Sequence, residues 1–308
     1  MRIGIGIGEI AGQPVDLDGL VAQVEAAEKD GFATAWFANI FGFDAILAAA
    51  IAGRATKKIE VGTAVVPTYP RHPTAMAQQA LSAQAAARGR FALGIGLSHQ
   101  VVIEAMLGMS WAKPYSHMKE YLAVLEPLIR KGNVSYAGEE FRVNANLQVT
   151  GATPCPILIA ALAPKMLALA GGVADGTITW MTGPKTLADH TVPRIQEAAA
   201  AQGRPPVRVV VGLPVAITED VAGAREAAAQ IFQIYGALPS YRAMLDREGV
   251  EGPAAVALVG NEDEVNDRLN RLAEIGVTDF LAVPFPAGPD PRKTLERTRA
   301  LLVTRTRG

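Results

Sequence analysis

The chain has 308 residues, of which 50% are hydrophobic and 19% charged, so it can bury a large core and is neither disordered nor fibrous. Its 29 Lys and Arg nearly balance its 30 Asp and Glu, and the resulting net charge of -1 argues against nucleic acid as a partner. The single cysteine, Cys155, excludes an intramolecular disulfide and a multi-cysteine metal site.

The hydropathy pattern indicates no targeting or membrane segment. The first residues, MRIGIGIGEIAG, lack the compact apolar core of a signal peptide. The longest uncharged stretch, residues 143–164, contains three prolines and several amides, which is unsuitable for a membrane helix. We therefore expect a soluble protein of the reducing cytoplasm with no membrane partner.

Short β-rich runs alternate with helical patterns along the chain, which is typical of strand–helix units in a parallel sheet. One such helical pattern runs from Leu17 to Glu28 and stops at Gly31, a helix-ending glycine. The predicted strands are residues 2–8, 34–38, 59–66, 91–94, 156–160, 176–180, 208–216 and 279–284. Eight strands without a linker predict one α/β domain, residues 1–308, closed as a (β/α)8 TIM barrel.

Two segments are additional to the alternating strands and helices. Residues 133–150 predict an extended, hairpin-like insertion with Gly138 at a turn, between a helix at 114–130 and the fifth strand. Residues 239–248 predict an additional helix after the helix of the seventh strand.

The active site of such a barrel lies at the carboxyl ends of its strands, so the residues that follow each strand are the candidates. They are Gly8, Glu9, Asn39, residues 64–68, 96–100, 161–165 and 180–183, and Pro214.

Two of these segments have features of anion sites. Gly94 and Gly96 permit close backbone approach, and Ser98 is placed to cap the next helix. A helix N-terminus there would bind a phosphate or carboxylate, although an ordinary capped turn explains the pattern equally well. Pro164 predicts a second helix start, where Lys165 would either assist an anion or be solvated.

Several common site motifs are absent from the sequence. The alternating Gly4, Gly6 and Gly8 do not form the GxGxxG pattern of dinucleotide binding, and neither a P-loop nor a GxSxG elbow occurs. No two histidines stand four residues apart, so zinc binding on one helix is not expected. Of the four histidines, His99 follows a predicted strand, whereas His72 precedes a helix and is expected to cap it or to be solvated.

Four segments together resemble the bacterial luciferase-like superfamily: WFANIFGFD at 36–44, GTAVVPTYPRHP at 62–73, GRFALGIGLSH at 89–99 and ADGTITW at 174–180. Within it, the sequence looks like the oxidoreductases that use the deazaflavin coenzyme F420. The resemblance implies a (β/α)8 barrel with an insertion, a homodimer, and a cofactor ring across the barrel mouth. It also implies a non-prolyl cis peptide at Ala64–Val65, beneath the ring.

The same resemblance implies a set of cofactor-binding residues, with the cofactor phosphate near residues 96–100 and 161–165. The set is Asn39, Thr63, Ala64, Val65, Gly96, Leu97, Ser98, His99, Gln100, Ala161, Leu162, Ala163, Pro164, Lys165 and Trp180. An apolar substrate wall is expected from Phe41, Trp111, Tyr115, Trp180 and Met181.

The sequence also departs from that branch at two catalytic positions. Where several dehydrogenases have an Asp-His pair this chain has Asn39 and Ile40, and where they have a glutamate it has His99. An alcohol oxidation needs a base, and among these residues only His99 titrates near neutral pH. We therefore predict His99 as the acid–base residue and Asn39 as a residue that orients a carbonyl or ring oxygen.

The predicted function is hydride transfer between F420 and a small organic substrate. The alternatives are an FMN-dependent monooxygenase and a barrel that binds a flavin-like ligand without turnover.

Overall fold

The computed structural model describes residues 1–8 and 14–307, so the candidate Glu9 lies outside the described residues. Its strands are β1 Arg2–Ile7, β2 Thr34–Phe37, β3 Glu60–Thr63, β4 Val66–Pro67, β5 Phe91–Gly96, β6 Asn133–Ala137, β7 Arg142–Asn146, β8 Ile157–Ile159, β9 Gly176–Trp180, β10 Arg208–Ile217, β11 Leu258–Gly260 and β12 Asp279–Pro284.

Eight of these strands close into the predicted barrel. They run in the order β1, β2, β3, β5, β8, β9, β10 and β12, and β12 pairs again with β1. Every pair in this ring is parallel, which confirms the (β/α)8 prediction. Two short strands extend the sheet. Strand β4, which the sequence analysis placed within the strand at 59–66, pairs with β5, and β11, which it did not predict, pairs with β10.

The helices cover the outside of the barrel. They are α1 Leu17–Asp30, α2 Ala45–Ala55, α3 Pro73–Ala86, α4 Pro114–Lys131, α5 Pro164–Val173, α6 Pro184–Thr186, α7 Val192–Ala201, α8 Val221–Ile231, α9 Gln233–Ala237, α10 Pro239–Glu248, α11 Glu262–Ile275 and α12 Pro291–Thr306, with π-helical turns at Val102–Met106 and Leu187–Thr191 and a 3-10 turn at Pro253–Ala255.

Local sequence signals explain several helix ends. Asp16 caps α1 by accepting from the Gly19 amide, and Gly31 ends the helix in the left-handed conformation at φ 88°. His72 caps α3 through its side chain, as expected from its position before Pro73. The additional helix predicted at 239–248 is α10.

The insertion between the fourth and fifth barrel strands contains an antiparallel hairpin. Strands β6 and β7 pair from Asn133 with Asn146 to Ala137 with Arg142. Gly138 lies in the turn, where its amide donates to the carbonyl of Phe141 at 2.8 Å.

The strand predicted at 59–66 is interrupted, which corrects the sequence analysis. The Ala64–Val65 peptide is cis, as the family resemblance implies, and it separates β3 from β4. The chain at this point folds against Gly94, where an added Cβ would lie 2.0 Å from the Thr63 carbonyl oxygen. The Thr63 hydroxyl also donates to the Gly94 carbonyl at 2.8 Å. The bulge formed by Ala64 and Val65, between β3 and β4, is therefore fixed to β5.

A compact apolar layer fills the barrel interior. Its buried residues are Trp36, Ala92, Leu158, Ile178, Val210 and Leu281, and Ala64, Val65, Ala160 and Val283 pack against them. Glycines make room for the Trp36 ring, because a Cβ on Gly62 would lie 2.6 Å from it and one on Gly4 2.8 Å from it.

A charged network closes the opposite, amino-terminal end of the barrel. Arg208 contacts Asp279 at 2.6 Å and Glu60 at 3.0 Å, and Arg2 contacts the same two carboxylates at 3.2 and 3.3 Å. The side chain of Asp279 is only 3% exposed, so its charge depends on these partners. Burial alone would lower the pKa of Arg208, but its contacts with Asp279 and Glu60 raise it.

None of the described helices is both long enough and apolar enough to cross a membrane.

Candidate active site

An apolar floor lies at the carboxyl end of the barrel. It is formed by Ala64, Val65 and Ala160, which cover the interior layer. A Cβ on Gly96 would lie 2.7 Å from Val65 and 3.1 Å from Ala160, so only glycine lets the bulge and the end of β5 approach this closely. The floor is thus a closely packed, partly exposed apolar surface.

The end of β2 supplies one polar group and several exposed apolar ones. The Asn39 side-chain oxygen accepts from the Ala45 amide at 3.1 Å, at the start of α2. That bond fixes the amide and leaves its NH2 group as the donor available to a ligand. Ile40 and Phe41 follow and are 68% and 64% exposed.

The end of β5 holds His99 in a half-buried position. Burial lowers the pKa of His99, so the imidazole is neutral at neutral pH. The His99 carbonyl accepts from the amides of Val102 and Ile103 at 2.9 and 3.0 Å. The following turn is π-helical and has no side-chain cap, so the predicted capping role of Ser98 is wrong. Ser98 instead adopts a left-handed conformation at φ 67°.

The end of β8 leads into a helix with free amides. Helix α5 begins at Pro164, after Ala163, and no side chain caps it. Such an end attracts anions through its unpaired N–H groups and the helix dipole. The Leu162 carbonyl just before it accepts from Nε2 of the buried His190 at 2.8 Å, and Lys165 is exposed.

A continuous row of aromatic rings, here called the aromatic arc, crosses the mouth from the end of β5 to the end of β12. Neighbouring ring centroids lie 5.2 to 6.0 Å apart. The members in spatial order are His99, Tyr241, Tyr235, Trp180, Phe232 and Phe285. The sequence analysis named two of the six. Tyr235, Tyr241 and Phe232 lie on or beside α9 and α10, whose position depends on the folded chain, whereas Phe285 directly follows β12 and was missed.

The residues expected to form a substrate wall differ in their exposure and in their contacts. Trp180 belongs to the arc, and Phe41 and Tyr115 are exposed. Trp111 is half-buried and stacks on Tyr69 at 5.2 Å. Met181 is fully buried, at 0% exposure, so it offers no surface to a substrate.

A second histidine, His117, lies beneath the mouth and was not identified from the sequence as a site residue. Its Nδ1 contacts Glu140 of the hairpin insertion at 2.9 Å, and its Nε2 contacts the Thr68 hydroxyl at 3.2 Å. Tyr69 stacks on the imidazole at 4.1 Å, nearly parallel. His117 therefore ties the insertion to the segment that follows the cis peptide. Its position four residues before the buried Tyr121 is the sequence signal that could have found it.

Two buried histidines and the half-buried His99 predict a pH-dependent stability. Burial lowers the pKa of His99, His117 and His190, for His117 despite the opposing contact with Glu140. Below the ordinary pKa of about 6.5, the unfolded chain therefore binds protons that the folded chain does not. We expect the free energy of unfolding to have its highest value above that pH and to fall progressively below it. Urea denaturation between about pH 8 and about pH 5 measures this change.

His190 provides the matched variant for this measurement. Its Nδ1 accepts from Nε of Arg194 at 3.0 Å. Protonation of His190 would place a hydrogen on Nδ1, so two N–H donors would then face each other. His190→Gln keeps a donor for the Leu162 carbonyl and should flatten the decline. A stability that rises toward acid pH would contradict the prediction.

No cluster of His, Cys, Asp or Glu within residues 1–8 and 14–307 is arranged to hold a metal ion. Instead, the mouth combines an apolar floor, a neutral histidine and an uncapped helix end. Together with the closed parallel barrel, these features define a TIM-barrel protein whose candidate site lies at the carboxyl mouth.

Comparison with known proteins identifies the family. The family profile described as luciferase-like monooxygenase matches residues 3–279, and the chain belongs to this family. A curated relative, 5,10-methylenetetrahydromethanopterin reductase of Methanolobus tindarius, is 27% identical over 299 residues, covering 88% of this chain and 91% of that protein.

Solved structures with the same fold include two enzymes. The coenzyme F420-dependent tetrahydromethanopterin reductase of Methanopyrus kandleri superimposes with a TM-score of 0.81 at 21% identity, covering 99% of this chain and all of that one. An F420-dependent secondary alcohol dehydrogenase, in complex with an F420-acetone adduct, gives 0.79 at 19% identity and covers 97% of both chains.

Proposed function

We propose that the protein is an oxidoreductase that binds coenzyme F420 at the barrel mouth and transfers a hydride between it and a small organic substrate. The observation that carries this proposal is the apolar floor of Ala64, Val65 and Ala160 with the neutral, half-buried His99 beside it. The reductase relative and the two F420-dependent enzymes of the same fold support the choice of cofactor.

The residues present fit such a cofactor. Gly94 and Gly96 let the Ala64–Val65 bulge form a flat floor, since a Cβ on either glycine would collide with it. The free amides at the start of α5, together with residues 96–100, would hold the phosphate. Trp180 and the other predicted cofactor residues lie at the strand ends, in the segments that follow them or in the first turn of α5.

When bound, F420 supplies a deazaflavin carbon, C5, that accepts or donates a hydride. His99 would take the hydroxyl proton of an alcohol substrate, because a neutral imidazole is a base at neutral pH. In the reverse direction, the imidazolium form of His99 would return that proton to the carbonyl oxygen. Asn39, held by its bond to the Ala45 amide, would donate a hydrogen bond to a carbonyl or ring oxygen.

A parallel titration with oxidised F420 and with FMN, followed by ring fluorescence, tests the cofactor. We expect tighter binding of F420. Gly96→Ala should weaken it, because the new methyl group would push Val65 out of the floor. Gly252→Ala is the matched control, because no described atom lies within 4 Å of the added Cβ.

The other outcomes select between the alternatives. Tighter binding of FMN would favour a flavin-dependent monooxygenase, in line with the name of the family. Tight binding of F420 without turnover of any donor or acceptor would favour a protein that only binds the cofactor. Failure to bind either would overturn the proposal.

We further propose a cytoplasmic homodimer that acts on a small molecule and has no nucleic-acid or membrane partner. The net charge of -1 supports the absence of nucleic acid. Exposed Ile40, Phe41, Phe43 and Leu47 form an apolar group around the start of α2, which supports a protein contact there. Light scattering after gel filtration measures the assembly, and a monomeric mass would overturn the homodimer.

A further inference from the structure

His99 packs against a residue that comes from a distant part of the chain. The ring of Tyr241, in the first turn of α10, lies 5.5 Å from the imidazole between centroids. Tyr235 of α9 meets Tyr241 at 5.2 Å with perpendicular planes. Both tyrosines are half-buried, so they form the wall behind His99.

Packing rather than hydrogen bonding holds the imidazole. None of the described residues forms a hydrogen bond with the His99 ring, unlike the rings of His72, His117 and His190. The ring of Tyr241 is the aromatic contact that sets its orientation.

The electrostatic surroundings of His99 are simple. Burial alone lowers the pKa of His99. The titratable group that packs against it is Tyr241, and Tyr235 lies behind Tyr241. Burial raises the pKa of both tyrosines, so they stay neutral. The nearest turn carries Glu104, whose carboxylate accepts from Gln100 at 2.9 Å.

The wall itself carries no formal charge at neutral pH. Arg242 adjoins Tyr241 in the chain, but its guanidinium binds Asp246 at 2.8 Å and the carbonyls of Val250 and Glu251 at 2.7 and 2.6 Å. A charged substrate group placed against the faces of these rings would lose its hydration, and the wall offers no opposite charge to compensate for that loss. A flat apolar face would gain ring contacts instead.

Helix α10 is anchored independently of Tyr241. Glu248 accepts from the amides of Lys185 and Thr186 at 3.1 and 2.7 Å, and the Thr186 hydroxyl donates to the Met244 carbonyl at 3.3 Å. Loss of the ring at position 241 therefore leaves the other attachments of the helix in place.

We propose that Tyr241 is a positioning residue for His99 and a specificity-determining residue, which restricts the site to uncharged substrates with a planar apolar face. This inference rests on the proposed function, in which His99 transfers a proton beside the cofactor.

The first test uses the protein without cofactor. The titration of the His99 ring is followed by NMR in the wild type, Tyr241→Phe and Tyr241→Ala, with His99→Gln to assign the signal. We expect Tyr241→Phe to titrate like the wild type and Tyr241→Ala to titrate at higher pH, because the imidazole loses its cover. An unchanged midpoint in Tyr241→Ala, with the fold intact by circular dichroism, would overturn the positioning role.

The second test uses the protein loaded with F420 and two probes of equal size, benzamide and benzoate, in calorimetric titrations. We expect the wild type to bind benzamide at least about tenfold more tightly than benzoate, and Tyr241→Ala to lose most of that difference. Equal binding of both probes by the wild type, or an unchanged difference in Tyr241→Ala, would overturn the specificity role. If the wild type does not bind F420, the proposed function fails, while the cofactor-free titration still decides whether Tyr241 positions His99.

Discussion

Replacing Arg208 with methionine is expected to lower the free energy of unfolding by about 3 to 5 kcal/mol. The guanidinium bridges Asp279 and Glu60 at the closed end of the barrel and lies 6.0 Å over the Trp36 ring. Methionine keeps much of the packing, but among the described residues it leaves the two carboxylates with the more exposed Arg2 as their cationic partner, beside the hydroxyls of Thr34 and Thr278. Urea denaturation at neutral pH measures the loss.

Arg297→Met is the matched control for this variant. Arg297 also bridges two carboxylates, Glu262 and Glu219, but these are 44% and 74% exposed. Because water already solvates that pair, the expected loss is below about 1 kcal/mol. Equal losses in the two variants would show that burial of the network contributes nothing.

Replacing His99 with glutamine is expected to lower kcat by about 100- to 10,000-fold while F420 binding is retained. Glutamine keeps a polar side chain of similar length, but it cannot take or give a proton. The floor of Ala64, Val65 and Ala160 and the backbone amides of residues 96–100 are untouched, so the cofactor should bind as in the wild type. Steady-state rates with the best substrate from a screen of uncharged ketones and enones measure the effect.

His72→Asn serves as the control for His99→Gln. His72 is exposed and caps α3 by accepting from the Thr74 amide, a role that asparagine also fills. We expect its rate to match that of the wild type. A His99→Gln enzyme that retains the full rate would remove His99 from the chemistry.

The barrel could be predicted from the sequence because its strands carry the signal locally. Runs such as Val209, Val210 and Val211 are buried on both faces, and each is followed by a helical pattern with its own caps. The position of His99 could also be predicted, since it follows directly from the end of β5. The cis peptide at Ala64–Val65 followed from the family resemblance, but the break that it makes in the third strand was not predicted, because periodicity indicated one continuous strand.

The rest of the site could not be predicted, because it depends on contacts between distant segments. Tyr241 meets His99 across 142 positions of the chain, and the residues around Tyr241 carry no pattern that points to the mouth. The Thr68, His117 and Glu140 contact joins three separate elements in the same way. The prediction that Ser98 caps a helix failed for a local reason. The turn that follows it is π-helical, and the first amides of that turn donate to a backbone carbonyl instead of to the Ser98 side chain.

Because Gly4 and Gly62 enclose Trp36, the fluorescence of this tryptophan can be distinguished from that of a tryptophan at the barrel mouth. Trp36 is 1% exposed at the barrel centre, whereas Trp180 lies in the aromatic arc at the mouth. Emission from Trp36 should be blue-shifted and insensitive to a soluble quencher until the barrel opens, while emission from Trp180 should respond to whatever enters the mouth. With Trp111 replaced by phenylalanine, a single fluorescence spectrum would follow folding and ligand binding as independent signals in the same sample.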